Sequence, residues 1–172
     1  MTTKADYTAE EWSVIMQSPM AAAMVVMLAS PSNPVGLAQE TFAVSKMLAE
    51  NVGKPSGVGL IDAVAEQIKD AEGRKAAQPP RPEAGADITA LKDRALGTLR
   101  QLNDLLATKA PAEEATSFRQ WILATAQRAA GAAKEGGFLG IGGDSISAEE
   151  TAAIAEVERT LGASGASYTR NG

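Results

Sequence analysis

An all-α fold, a compact bundle of about six helices, is predicted by three features of this sequence. Apolar residues recur at steps of three and four along most of the chain. Serine, threonine, aspartate or proline stands where such stripes begin, and glycine where they end. No segment keeps a strand alternation, and alanine, leucine, glutamate and lysine dominate, a composition that leans towards helix.

The first helix opens at Thr8, where Thr8 and Glu11 have the spacing of a capping box. Ser18-Pro19 predicts a kink, or a short helix followed by a second from Pro19 to Ala29, because proline lacks the N–H that an interior turn needs. The turn "SPSNPVG", Ser30 to Gly36, ends it. A second helix is expected from about Leu37 to Val52, with Leu37, Thr41, Ser45, Leu48 and Val52 on one stripe widened by Phe42 and Val44, and Gly53 as its C-cap. A third, from about Gly57 to Glu72, should bury Ile61, Val64, Ile68 and Ala71 and stop at Gly73.

Residues 74–87, "RKAAQPPRPEAGAD", read as an extended proline-rich linker within a single domain, 1–172. Asp87 should cap the fourth helix, with the stripe Ile88, Leu91, Ala95, Leu99, Leu102 and Leu106. The fifth should start at Pro111, with Glu113 and Glu114 complementing the helix dipole. Its inner face would run through Phe118, Ile122, Ala126, Ala129 and Ala133 to Gly136-Gly137. The sixth opens at Ser147 with Glu150, turns Ile154, Val157 and Leu161 inward, and stops at Gly162. Residues 163–172 read as a disordered tail. Trp12 and Trp121, each followed by alanine-rich turns and then by "AQET" at Ala38 or "AEET" at Ala148, fit two related helix–loop–helix units.

Composition narrows the chemistry. The chain of 172 residues has neither cysteine nor histidine. Disulfides, thiolate metal sites and cysteine nucleophiles are excluded. So are the commonest general base and the usual metal ligand. A net charge of -5 and only 4% aromatic residues speak against nucleic-acid binding, which wants a basic patch or stacking platforms. The apolar run Met20–Ala29 is too short to span a bilayer, and the N-terminus lacks the positive charge of a signal peptide. A cytoplasmic protein is the expectation.

The least ordinary stretch is "KEGGFLGIGGDSISAEE", Lys134 to Glu150. Its glycines follow a helix, not a strand, and Asp144 stands where a phosphate loop would place a lysine, so neither dinucleotide nor phosphate cradle fits. Read as the end of a calcium loop, Ile146, Ser147 and Glu150 take the eighth, ninth and twelfth places. Leu139, Ile141 and Gly143 then occupy the first, third and fifth, which need side-chain oxygens. The remaining carboxylates (Glu40, Glu50, Asp62, Glu66, Glu149 and Glu150) have no metal-site pattern. Without histidine they cannot form the usual di-iron bundle site. No metal and no cofactor are expected.

Phe138, Leu139 and Ile141, set among glycines, would either plug the end of the bundle or present an apolar patch. Met16, Met20, Met24 and Met27 form a row that suits core gaps or an adaptable binding surface.

The pattern "FRQWILATAQRAAGAAKEGGFLGIGGDSISAEETAAIAEV", Phe118 to Val157, resembles a family of small uncharacterised bacterial helical proteins with an AAKEGGFLGIGG-type signature. That resemblance implies an all-α bacterial cytoplasmic protein and supplies no activity. The loop, its Ser-x-x-Glu and the amphipathic helix after it are also similar to TerB-like helical domains of tellurite resistance. Those carry acidic clusters proposed to bind metal, where this chain has Leu139 and Ile141. The function expected is therefore a non-enzymatic interaction or scaffold protein, acting as a homodimer or on a protein partner. Phe138, Leu139, Ile141, Trp12 and Trp121 are its candidate contact residues. The alternative is a binder of apolar small molecules, with a pocket near Met20–Met27.

Overall fold

Helix α1, Ala9–Met27, is buried on most of its circumference and forms the axis around which the other helices pack. Its N-terminus is fixed as the sequence predicts: Thr8 Oγ1 accepts the Glu11 N–H at 3.2 Å, and Glu11 accepts the Thr8 N–H at 2.8 Å. The computed structural model describes residues 1–29, 44–46, 48–50, 52, 54–78, 87–135 and 146–163, with 132–135 as backbone alone.

Pro19 does not break α1. The carbonyl four residues before it, Ile15 O, loses its backbone donor, and the Ser18 hydroxyl supplies one at 2.8 Å inside the core. The helix is thereby continuous over 19 residues. Of the two readings, a kink or two short helices, the second is corrected: serine beside proline repairs the defect locally.

Helix α2, Gly59–Gln67, and the short α3, Ala71–Ala76, replace the single helix expected to end at Gly73. The break lies at residues 68–70. Arg74 donates to the carbonyls of Ile68 and Lys69, at 3.2 and 2.7 Å, and Asp70 starts α3 by accepting the Gly73 N–H at 2.7 Å. Gly73 is a buried residue inside α3, not a stop. A Cβ there would lie 1.7 Å from the Gln67 carbonyl oxygen, so the corner requires glycine. Ala71, expected inside, is exposed. Arg74–Ala76, assigned to the linker from sequence, are helical, and Ala77 is buried; residues 79–86 lie outside the described set.

Helices α4, Ile88–Lys109, and α5, Ala112–Glu135, form a hairpin turned at Ala110-Pro111, with Arg119 Nε donating to Asn103 Oδ1 at 2.8 Å across it. Ala95, Leu96, Leu99, Leu102 and Leu106 bury the α4 stripe. Ile88, expected inside, is 49% exposed, and the Asp87 side chain makes no capping bond. Helix α6, Ala148–Leu161, closes the bundle against α1, α4 and α5. Ser147 and Glu150 form its capping box, and Gly162 ends it at φ 62. Ala163, placed in the tail from sequence, is buried and donates to Glu158 O at 3.1 Å.

Among the described residues there are these six α-helices, a 3₁₀ turn at Lys4–Asp6, helical stretches at 44–46 and 48–50, and no strand. The all-α reading is correct. Of the expected second helix, Val44 and Leu48 are buried, Ser45 is exposed, and Glu50 pairs with Arg128 of α5 at 3.4 Å. Leu37, Thr41, Phe42 and Gly53 lie outside the described residues, as does Ala38 of the expected repeat. α1 runs antiparallel to α4, since Glu11 at its start meets Lys109 at the end of α4 (2.6 Å). Phe118, Ile15, Met16, Leu99, Leu102, Leu106 and Ile122 form the fully buried centre.

Candidate functional site

Of the five contact residues expected from sequence, Phe138, Leu139 and Ile141 lie outside the described residues. Trp12 and Trp121 are interior, 5% and 2% exposed. Trp12 donates its indole N–H to Gln67 at the end of α2 and stands 6.1 Å from the Tyr7 ring. Trp121 packs 5.5 Å from Phe118, and its buried indole N–H has no partner among the described residues. Both tryptophans serve packing. The methionine row is likewise interior: Met16, Met20 and Met27 are at most 9% exposed, and Met24 is half-buried against the same core.

Four of the carboxylates considered together from sequence have separate duties, Glu50 in its pair with Arg128 among them. Asp62 accepts the Ser56 N–H and hydroxyl, Glu66 pairs with Lys69, and Glu150 caps α6; Glu40 lies outside the described residues. Among the described residues no three acidic side chains are placed to hold a metal ion.

A cleft of about 300 Å³ opens where the N-termini of α2 and α5 meet the first residues of the chain. Met1, Val58 and Pro111 give it apolar walls, while Glu113, Glu114 and Ser117 supply its polar side. Glu114 is 8% exposed. Its Oε2 accepts the Thr2 N–H at 2.8 Å and its Oε1 the Leu60 N–H at 2.9 Å. One carboxylate thus caps the first turn of α2, whose own N-cap residue, Val58, has no side-chain acceptor, and pins the N-terminal segment to it. Gly59 allows this approach: a Cβ there would stand 2.6 Å from Glu114 Oε1 and 2.8 Å from Thr2 O.

The sequence reading gave Glu114 only a dipole role. Its reach was hidden because its partners lie 54 and 112 residues away in the chain.

At the end of α4, Lys109 lies 5.7 Å over the Tyr7 ring and pairs with Glu11. The bond from Lys109, with the Thr8 N–H, holds Glu11 below its ordinary value. Thr3 does the same for Asp6, chiefly through its N–H. Burial raises the Tyr7 phenol. Across the hairpin, burial also lowers the Arg119 guanidinium.

No family model, curated protein or solved structure matches the chain. No helix of the described residues is long and apolar enough to cross a membrane.

Proposed function

We propose that this protein acts by binding, as a non-enzymatic helical interaction module, and that its contact surface includes Phe138, Leu139 and Ile141. The observation that carries the reading is Ile146. It is 40% exposed, directly ahead of the capped start of α6, while the large apolar side chains exposed elsewhere among the described residues are Met1 and Ile88. An exposed isoleucine five residues after the apolar run of residues 138–141 fits the composition of a contact patch. The absence of histidine and cysteine from the sequence supports binding over catalysis, since the commonest acid–base and nucleophilic groups are missing.

The occupant favoured is a second copy of the chain. Light scattering of the wild type should give a mass above that of one chain, and the double variant Phe138→Asp, Leu139→Asp should return the monomer mass with its helical circular dichroism intact. A double variant that associates as the wild type does would overturn the proposal.

A further inference from the structure

Helix α2 is short and holds on by borrowed anchors. Its 9 residues fall below the roughly 12–15 that an isolated helix needs in water. Its inner face is well packed, with Leu60, Ile61 and Val64 fully buried. Its ends are less secure. The bonds of Asp62 to Ser56 and of Arg74 to the carbonyls of Ile68 and Lys69 are local. Among the described residues, two hydrogen bonds join residues 54–69 to distant parts of the chain. Glu114 of α5 accepts the Leu60 N–H at the start of α2, and Gln67 at its end accepts the indole N–H of Trp12 in α1.

Residues 1–7 reach the far partner of each bond. The Thr2 N–H donates to the second oxygen of Glu114 at 2.8 Å. Five residues on, the Tyr7 ring stands 6.1 Å from Trp12, tilted by 42°. Thr2 and Tyr7 are buried, while residues 3–6 between them are exposed. The segment is thus held at two points, and each point supports one end of α2. The Tyr7 hydroxyl donates to Thr2 Oγ1 at 3.5 Å and joins the two.

We propose that residues 1–7 are a clasp for α2: the two open and close as one local unit, and release at either point loosens both ends of the helix. Burial under Thr2 keeps the Glu114 carboxylate on the Leu60 N–H; with Thr2 gone, water competes for that acceptor. Tyr7 shields the Trp12–Gln67 bond in the same way. A helix of this length has no interior turn that stands when one end is lost, so the loss travels to the other end. Such a unit opens at lower free energy than the whole fold.

The test is amide hydrogen exchange of the full chain under native conditions, read by NMR for the wild type, Thr2→Pro and Tyr7→Leu. The reporters are the N–H groups of Asp62 and Ile68, bonded to Val58 O and Val64 O at the two ends of α2. Val25 and Leu99, in the buried middles of α1 and α4, are the references. In the wild type both reporters should share one protection, at least about tenfold below that of the references. Thr2→Pro removes the donor to Glu114 and should lower protection at Asp62 and Ile68 alike, by about tenfold. Tyr7→Leu, which touches the opposite end, should give the same pattern.

Reporters as protected as Val25 and Leu99 in the wild type would show that α2 opens only with the whole fold, and would overturn the local unit. A loss of protection confined to the end that carries the substitution would make the ends independent and overturn the clasp. Unchanged protection in both variants would show that α2 stands without residues 1–7, which also overturns it.

Discussion

Replacing Ser18 by alanine removes one hydroxyl from the middle of α1, and the structure sets the cost. Ser18 is fully buried, and its hydroxyl is the donor to Ile15 O, the carbonyl that Pro19 cannot serve. The substitution leaves that acceptor unpaired in the core, at about 1–3 kcal/mol. In a chain of this size each kcal/mol moves the melting temperature by about 2–4 °C, so Ser18→Ala should melt roughly 2–12 °C lower. Pro19→Ala returns an N–H in register with Ile15 O and removes a poor helix former, at the expense of some packed volume. It should stay within about 1 kcal/mol of the wild type or exceed it. In the Pro19→Ala background Ile15 O has its backbone donor, so adding Ser18→Ala should cost under about 1 kcal/mol. Urea unfolding of the four proteins gives the coupling directly. Equal cost of Ser18→Ala in both backgrounds would refute the repair of proline by serine.

Four further predictions rest on glycine geometry and on charge. Gly59→Ala should destabilise the fold by about 1–4 kcal/mol, because loss of the charge-assisted Glu114 bonds outweighs the gain from a stiffer unfolded chain. Gly97→Ala in α4, where a Cβ meets nothing within 4 Å, should stabilise by about 0.5–1 kcal/mol; both are read by thermal melts, with exchange of the Thr2 and Leu60 amides reporting the clamp. Glu11 and Asp6 sit below their ordinary values of 4.5 and 3.8 in the fold, so their contribution is present above those values and is lost as pH falls through the lower folded ones. Melting temperature should drop over that acid range, and Glu11→Gln should flatten part of the slope. Tyr7, raised above 10.0 by burial, stabilises below that pH and loses its contribution as pH climbs through the folded value.

Local rules were legible, and cross-chain ones were not. Thr8 with Glu11, Ser147 with Glu150 and the glycine at 162 announced three helix ends by spacing alone. The α4 stripe departs at its first residues, with Ile88 49% exposed and Leu91 half-buried, and holds from Ala95 to Leu106. Residues 57–76 misled because Gly73 was read as punctuation. Its need for glycine comes from the carbonyl of Gln67, a contact made only once the chain has turned at Asp70. Pro19 left a kink and a break both open, and Ser18 beside it, whose hydroxyl serves Ile15 O, decides against the break.

The cleft was legible in principle, through a comparison of the three Ala-Glu-Glu runs that open α1, α5 and α6. In each, the second glutamate is the third helical residue, the place from which a side chain turns back to the N–H of the cap. Glu11 and Glu150 do so, on Thr8 and Ser147, at 2.8 and 2.9 Å. Before α5 the same place is held by Pro111, whose carbonyl accepts the Ala115 N–H at 2.9 Å as a cap residue should. Proline has neither an N–H to donate nor a hydroxyl to offer, so Glu114 has no local partner. A carboxylate released from its own helix end is free to cap another, and α2, which starts at Val58 without an acceptor, needs one. The one proline among three cap positions thus turns a helix-start motif into a long-range clamp. It leaves a buried acid, with lone pairs to spare, facing the cleft.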